Sequence, residues 1–199
     1  EIYDRLQQVL SIPVFHENLS STAVVAVAAL TNALELVDKQ LDAVRVVLCG
    51  AGTVGLGCAR LLVSLGLPRE NLLLYDVHGI VHPGRTDVNA HQRAFANTAP
   101  APDLATGLRG ADVFLGASAG GVLSQERIRS MSRFPIVFAM ATPEPEIGYE
   151  QARSARRDVI VATSLGQDPN AIVDLLSFPY IFRGALDVQA ARITDTMML

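Results

Sequence analysis

Short apolar runs alternate with longer segments of helical periodicity through most of the chain. An alternation of this kind is typical of buried parallel strands joined by helices. The pattern predicts an α/β fold, with a doubly wound, mostly parallel sheet and helices on both of its faces. The strands are expected at 44–49, 71–75 (ending on Asp76), 112–115, 135–139 and 159–162.

Helical spacing and helix-end signals give the remaining elements. A short helix over 2–10 stops before Pro13, and a long one, capped by Ser20 or Ser21, extends to about Lys39. One segment, 77–98, breaks the alternation and predicts a small hairpin followed by a loose or short helical stretch. The other helices are expected after the first strand as far as Gly66, over 124–131 and 149–155, from 171 to 176, and at the end. Residues 1–199 are interpreted as a single domain, with 1–40 a helical lead-in packed on it.

The composition narrows the class of protein. Half of the residues are hydrophobic and 18% are charged, which excludes a disordered chain. The most apolar stretch, 22–36, is too short for a membrane span and contains Asn32 and Glu35. No charged segment followed by an apolar run begins the sequence, so secretion is not indicated.

Charge and cysteine usage point to a cytoplasmic protein that binds no nucleic acid. The net charge is −4, and the arginines at 153, 156 and 157 are interpreted as a solvated helix face. Cys49 and Cys58 lie in apolar surroundings, as core cysteines of a reducing compartment do. The low charge leaves two alternatives open: an apolar face covered by a partner chain or a second copy in a homodimer, or simply a well-buried sheet.

A glycine turn gives the strongest functional signal. Gly50, Gly52 and Gly55 follow a strand and open a helix, as in the turn that lets backbone approach a pyrophosphate in Rossmann-type domains. Thr53 and Val54 then lie at the helix end that faces the phosphates. Asp76 ends the next strand, 21 residues after Gly55, where an acidic side chain can bind ribose hydroxyls. No lysine or arginine immediately follows it, which favours NAD over NADP; the alternative is a turn whose glycines serve packing alone.

Other candidate residues carry weaker signals. The loop 116–121 follows the third strand, so Ser118 and Ala119 could line the nicotinamide side of a dinucleotide crevice, or form a permissive turn. Histidines 78, 82 and 91 show no metal-site spacing and are interpreted as exposed or locally bonded. His16, Glu17 and Asn18 follow an apolar segment interpreted as a strand, where a ligand site would fit. From spacing alone, a capped helix-entry loop is the favoured interpretation.

Several sequence blocks follow one another along the chain. They are Pro13-Val14-Phe15-His16, the glycine turn, 57–60, 110–116, Pro143-Glu144-Pro145-Glu146-Ile147 and 178–188. Together these blocks resemble the NAD-binding domain of bacterial malic enzymes, and the resemblance covers nearly the whole chain in order. It implies oxidation of malate with NAD(P), followed by metal-assisted decarboxylation of oxaloacetate, and it places Thr142 near the nicotinamide.

The chain departs from the family's motifs at positions that bind the metal, the nicotinamide or the substrate in the family. Asn18 replaces an aspartate that binds the metal in the family, so no metal ligand is assigned. Thr142 replaces an asparagine near the nicotinamide. Val173 and Asp174 replace an asparagine pair that holds the malate carboxylate; valine forms no hydrogen bond, and an ionised aspartate would repel an anion. The family's catalytic tyrosine and lysine belong to an N-terminal domain that this sequence lacks, and neither Tyr3 nor Lys39 matches them.

These observations favour an NAD-dependent oxidoreductase domain of malic-enzyme type that does not oxidise and decarboxylate malate alone. His16, Glu17 and Asp174 are the candidate catalytic groups, and the small-molecule substrate is left open. Two alternatives remain: a non-catalytic NAD-binding, regulatory or partner-binding subunit, and an enzyme with a repurposed non-redox pocket.

Overall fold

Six strands form one sheet in the computed structural model, which describes residues 2–198 and, for Asn18 and Leu19, the backbone alone. Along the sheet the order is β3-β2-β1-β4-β5-β6. All neighbours are parallel except β3, which pairs antiparallel with β2. The strands are β1 (Val46–Cys49), β2 (Leu72–Asp76), β3 (Gly79–Ile80), β4 (Val113–Gly116), β5 (Ile136–Ala139) and β6 (Ile160–Thr163).

The strand order makes β1 the point where the chain changes direction across the sheet. From β1 the chain adds β2 and β3 on one side, then crosses to add β4, β5 and β6 on the other. Ligands of doubly wound sheets bind outside the carboxyl ends of the strands at such a switch point. The predicted α/β class and all five parallel strands are confirmed, with ends that differ by at most two residues.

Helices connect the strands, and two expectations about them are wrong. The long helix begins at Glu17, where the Ser20 N–H already donates to the His16 carbonyl at 3.1 Å, so Ser20 and Ser21 are buried helix residues and not caps. Residues 171–176 form no α-helix: Ala171 pairs with Thr163 as an isolated bridge, and a 3₁₀ turn, Asp174–Leu176, follows. The helices are α1 (Ile2–Val9), α2 (Glu17–Leu36), α3 (Thr53–Ser64), α4 (Ala90–Arg93), α5 (Leu104–Leu108), α6 (Gln125–Ser130), α7 (Tyr149–Ala155), α8 (Phe178–Asp187) and α9 (Asp195–Met198), with a second 3₁₀ turn at Arg69–Asn71.

Alternate residues of each central strand enter two apolar cores, one on each face of the sheet. Leu48 points with Leu74 and Leu115 toward α2 and α3. Val47 and Phe114 point the other way, toward residues of α5, α6 and α7. Because both faces are covered by helices, the parallel strands carry apolar residues on both faces, with the polar residues Asp76 and Thr163 only at the carboxyl ends of β2 and β6. This arrangement explains the continuous apolar runs in the sequence.

Lys39 anchors the chain after α2 to the amino-terminal edge of the sheet. Its ammonium donates to Asp112 Oδ1 at 2.7 Å, to Ser132 Oγ at 3.0 Å and to the carbonyls of Arg133 and Phe134 at 2.7 and 3.3 Å. Burial alone would raise the pKa of Asp112, but hydrogen bonds from Lys39, the Arg45 backbone N–H and Ser132 outweigh it and lower that pKa. This cluster lies at the end of the strands opposite the glycine turn.

No helix within residues 2–198 is both long enough and apolar enough to cross a membrane.

Candidate functional site

A crevice of about 320 Å³ opens at the carboxyl ends of the central strands. Cys49 and Gly116 pair side by side where β1 and β4 end, so the loops after these strands face each other across the crevice. The 3₁₀ turn after β6 and the amino-terminal part of α2 close its other sides. Its lining residues are Thr22, Val54, Ala117, Ser118, Met140, Ala141, Thr142, Ser164, Ile172, Val173 and Asp174.

The glycines of the turn after β1 serve different purposes. Gly50 has a φ of +119°, and a β-carbon there would overlap the Ala117 carbonyl; one on Gly55 would overlap the Gly50 carbonyl. Both positions therefore need glycine for packing. Gly52 is exposed, has a φ of −91°, and a β-carbon there would meet nothing within 4 Å. The packing-only interpretation explains Gly50 and Gly55 but leaves Gly52 unexplained.

The first turn of α3 presents backbone donors beside this open space. Gly52 is its N-cap and supplies no side-chain hydrogen bond, so the leading N–H groups of α3 have no capping side chain. The positive end of the helix dipole reinforces them as an anion site. Exposed Thr53 and half-buried Val54 begin this turn. The Gln92 side chain donates to the Ala51 carbonyl at 3.1 Å and anchors the turn from α4.

Asp76 lies at the carboxyl end of β2, as expected, but an arginine contacts it. Arg85 donates from Nη1 to Oδ1 at 2.9 Å and from Nη2 to Oδ2 at 2.8 Å. On its other edge Arg85 binds both oxygens of Asp87, at 3.0 and 2.6 Å. Burial alone would raise the pKa of Asp76, but hydrogen bonds from Arg85 and the His78 N–H lower it. No lysine or arginine immediately follows Asp76 in the sequence, but the chain returns after the β2–β3 hairpin and brings Arg85 to it.

The loops after β4 and β5 form the crevice wall opposite the glycine turn. Ser118 lines the crevice and accepts a weak hydrogen bond from the Cys49 thiol at 3.5 Å. Burial raises the pKa of that thiol. Thr142 lines the same wall from the loop after β5. Ala119 is exposed in the Ser118 loop and is not among the lining residues described.

One of the three candidate catalytic residues lines the crevice. Asp174, the first residue of a 3₁₀ turn, does so together with Val173. The described lining residues include neither His16 nor Glu17. His16 contacts Tyr3 edge to face, with ring centroids 5.9 Å apart, and Glu17 is exposed as the first residue of α2. The segment before His16 forms no strand, so the predicted strand-end position is wrong.

Two of the histidines after β2 contact other groups of the chain. His82 Nδ1 accepts from the Gly84 N–H at 3.0 Å, and His91 Nε2 lies 3.2 Å from Asp4 Oδ2 of α1. Within residues 2–198 no three or more histidine, cysteine or acidic side chains form a group that could hold a metal ion. The Asn18 side chain, at the position of the family's metal ligand, lies outside the described residues.

The fold and the crevice define a dinucleotide-binding domain of the Rossmann type. A family model described as the malic enzyme NAD-binding domain matches residues 19–199. The chain therefore belongs to the malic enzyme family and corresponds to its NAD-binding domain, as the sequence blocks indicated.

Nearly the whole chain is similar in sequence and structure to known malic enzymes. An NADP-dependent malic enzyme of Halomonas elongata is 44% identical over 197 residues, which are 99% of this chain and 47% of the relative. An NAD-dependent malic enzyme of Geobacillus stearothermophilus is 43% identical over 203 residues, 100% of this chain and 42% of the relative. The crystal structure of an NAD-dependent malic enzyme from Thermotoga maritima superposes with a TM-score of 0.92, at 39% identity, over 99% of this chain and 53% of that one. The chain thus spans about half the length of these relatives.

Proposed function

We propose that the chain binds NAD in the crevice and supplies the cofactor half of an oxidoreduction of malic-enzyme type. The observation that carries this proposal is Gly52, where neither packing nor backbone conformation requires glycine and the space beyond is open. A pyrophosphate fits this space, because the uncapped N–H groups of α3 face it. When bound, the dinucleotide supplies hydride transfer.

The proposed roles follow the positions of the residues. Gly50, Gly52 and Gly55 shape the turn, and Thr53 and Val54 begin the helix end that takes the pyrophosphate. Asp76 faces the adenosine ribose. On the opposite wall, Ser118, Ala119 and Thr142 contact the nicotinamide end.

The ribose subsite favours NAD over NADP. Arg85 is held between Asp76 and Asp87, so this trio carries a net charge of −1. An unmodified ribose can donate hydroxyl hydrogen bonds to Asp76. A 2′-phosphate would gain one guanidinium but face two carboxylates. The carboxylates outnumber the cation, and the site therefore suits NAD.

We further propose that this chain does not oxidise and decarboxylate malate by itself. Val173 and Asp174 line the crevice at the positions where the family carries its carboxylate-binding asparagines. A valine side chain donates no hydrogen bond, and the Asp174 carboxylate disfavours an anionic substrate. The proposed NAD site is thus retained, whereas the two residues that would hold malate are changed.

Calorimetric titration of the purified chain tests both statements. We expect one-site binding of NAD⁺ and binding of NADP⁺ that is weaker by about tenfold or more. No binding of either nucleotide would overturn the proposed cofactor function. Malate and Mn²⁺ are then added with NAD⁺ while NADH absorbance is followed; sustained NADH production would contradict the second statement.

A second copy of the chain is the proposed partner for the apolar surface at α8. Tyr180, Leu186 and Val188 are large and exposed there, beside the exposed ion pair between Arg183 and Asp187. About a two-fold axis the same surface would face itself, and each copy would present both charges of this ion pair to the other. Sedimentation velocity tests this proposal: a dimer that Tyr180→Ser weakens supports it, and a monomer at high concentration contradicts it.

A further inference from the structure

The Glu146 carboxylate is completely buried beneath the crevice wall. Its Oε1 accepts from the Ser118 backbone N–H at 2.7 Å and from the Ser118 hydroxyl at 3.0 Å. Its Oε2 accepts from the Ala141 N–H at 3.0 Å. Within the part of the chain that the structure describes, no cation forms an ion pair with Glu146. Burying a carboxylate costs free energy because the group loses its hydration. Where hydrogen bonds alone offset that cost, the loss of any one of them is destabilising.

These hydrogen bonds join the two loops of the crevice wall. Ser118 follows β4 and Ala141 follows β5, and both residues line the crevice. The Glu146 backbone adds a third connection, because its carbonyl accepts from the Leu123 N–H at 3.0 Å. One residue therefore fixes the separation of Ser118 and Thr142, which faces the crevice next to Ala141.

The end of β4 leaves room for this carboxylate. A β-carbon on Gly116 would overlap the Glu146 carboxyl group. The φ of Gly116 lies outside the left-handed region, so its backbone conformation does not require glycine. Gly116 is thus explained by the space that the carboxylate occupies.

Glu146 also sets the hydrogen-bonding character of Ser118. A carboxylate accepts only, so the Ser118 hydroxyl hydrogen is directed to Glu146. The hydroxyl oxygen accepts weakly from the Cys49 thiol and keeps a second lone pair, which is available to a ligand because Ser118 lines the crevice. A group that donates, such as the amide nitrogen of a nicotinamide, matches this arrangement.

We propose that Glu146 is a positioning residue, which holds the loops after β4 and β5 in the shape that binds the nicotinamide end of the dinucleotide. This inference rests on the proposed binding of NAD. The adenosine and pyrophosphate subsites lie on the glycine turn and β2, which Glu146 does not touch through any of these hydrogen bonds.

Binding of NAD⁺ and of ADP-ribose, which lacks the nicotinamide, separates this role from a general effect on stability. In Glu146→Gln one carboxylate oxygen is replaced by an amide NH₂ group, which donates and does not accept. The backbone N–H of either Ser118 or Ala141 therefore loses its hydrogen bond. We expect NAD⁺ to bind about threefold to tenfold more weakly and ADP-ribose within about twofold of the unmodified chain. The control is Glu144→Gln, an exposed change of the same charge in the same loop, which should alter neither affinity.

A second variant, Gly116→Ala, displaces the carboxylate without removing it and should show the same selective loss. Equal losses for NAD⁺ and ADP-ribose in both variants would show a merely structural role and overturn the inference. Unchanged NAD⁺ binding in both would also overturn it, while leaving the proposed function intact. An unmodified chain that binds neither nucleotide overturns the proposed function and, with it, this inference.

Discussion

Arg85 binds both carboxylate oxygens of Asp76, although it lies nine positions further along the chain. Their side chains are each 16% exposed, so the pair is largely shielded by protein yet open to a ligand. The acidic residue that we propose for the ribose site is therefore partly neutralised before any nucleotide arrives. Cofactor preference should depend on the balance of charge around Arg85.

We expect Asp76→Asn to shift the preference toward NADP. The substitution removes one of the two carboxylates that a 2′-phosphate would face and leaves Arg85 paired with Asp87 alone. The ratio of NADP⁺ to NAD⁺ affinity should rise about fivefold or more. Titration calorimetry with both nucleotides measures it, and Asp87→Asn, the same charge change on the far side of Arg85, should shift the ratio less. An unchanged ratio in Asp76→Asn would remove Asp76 from the ribose site.

A methyl group at position 52 should weaken cofactor binding strongly without harming the fold. The β-carbon of Gly52→Ala points into open space, so the thermal midpoint should stay within about 2 °C while NAD⁺ binds at least about tenfold more weakly. Differential scanning fluorimetry and calorimetry measure the two effects. Undiminished binding would mean that the pyrophosphate does not approach this turn.

The matched control is Gly55→Ala in the same turn. Its β-carbon would overlap the Gly50 carbonyl, which is backbone and cannot move aside cheaply. Overpacking of this kind should lower the free energy of unfolding by about 1–3 kcal/mol. Urea unfolding measures it, and a stable Gly55→Ala variant would contradict the packing of α3 on the turn.

The hydrogen bonds of Asp112 should make the free energy of unfolding depend on pH in the acidic range. The folded-state pKa of Asp112 is lowered, so its contribution is present above the ordinary carboxyl pKa and is lost as pH falls through the lower, folded value. Asp112→Asn should reduce the free energy of unfolding by about 1–3 kcal/mol at neutral pH and by less near about pH 3. Urea unfolding at both pH values tests this, with exposed Asp42→Asn as control. An equal deficit at the two pH values would contradict it.

The Asp174 carboxylate should favour the oxidised form of the cofactor. The nicotinamide ring is a cation in NAD⁺ and neutral in NADH, and Asp174 lines the crevice with Ser118 and Thr142. In Asp174→Asn, NAD⁺ should bind about twofold to fivefold more weakly, with NADH nearly unchanged. Titrations with both forms measure the ratio, and Glu150→Gln on the exposed side of α7 is the control. A parallel change in both affinities would place the nicotinamide away from Asp174.

Local pattern was enough to predict the sheet and the glycine turn. The strands lie between two helical layers, so their buried apolar runs stand out in the sequence. The signal for Gly50 and Gly55 is equally local, because both are required by the path of the turn itself. The hairpin after Asp76 was also predicted, and its return path would have indicated a side chain near Asp76.

Contacts between distant segments could not be predicted from the sequence. The hydrogen bonds from Ser118 and Ala141 to Glu146 depend on how the loops after β4 and β5 meet, and no spacing rule encodes them. Ser20 and Ser21 carry the chemistry of caps, but burial against the core overrides that preference in α2. Residues 171–176 have helical composition, yet the bridge from Ala171 to Thr163 extends the backbone there.

Lys39 is the one lysine of the sequence, and its ammonium is occupied by two side chains and two carbonyls. Such an amine reacts slowly with acylating reagents for as long as the amino-terminal edge of the sheet stays closed. Acylation at Lys39, located by peptide mass, therefore reports opening of the protein at a single known position. The chain carries an intrinsic chemical probe of its own unfolding, on the side away from the cofactor crevice, so labelling need not disturb ligand binding.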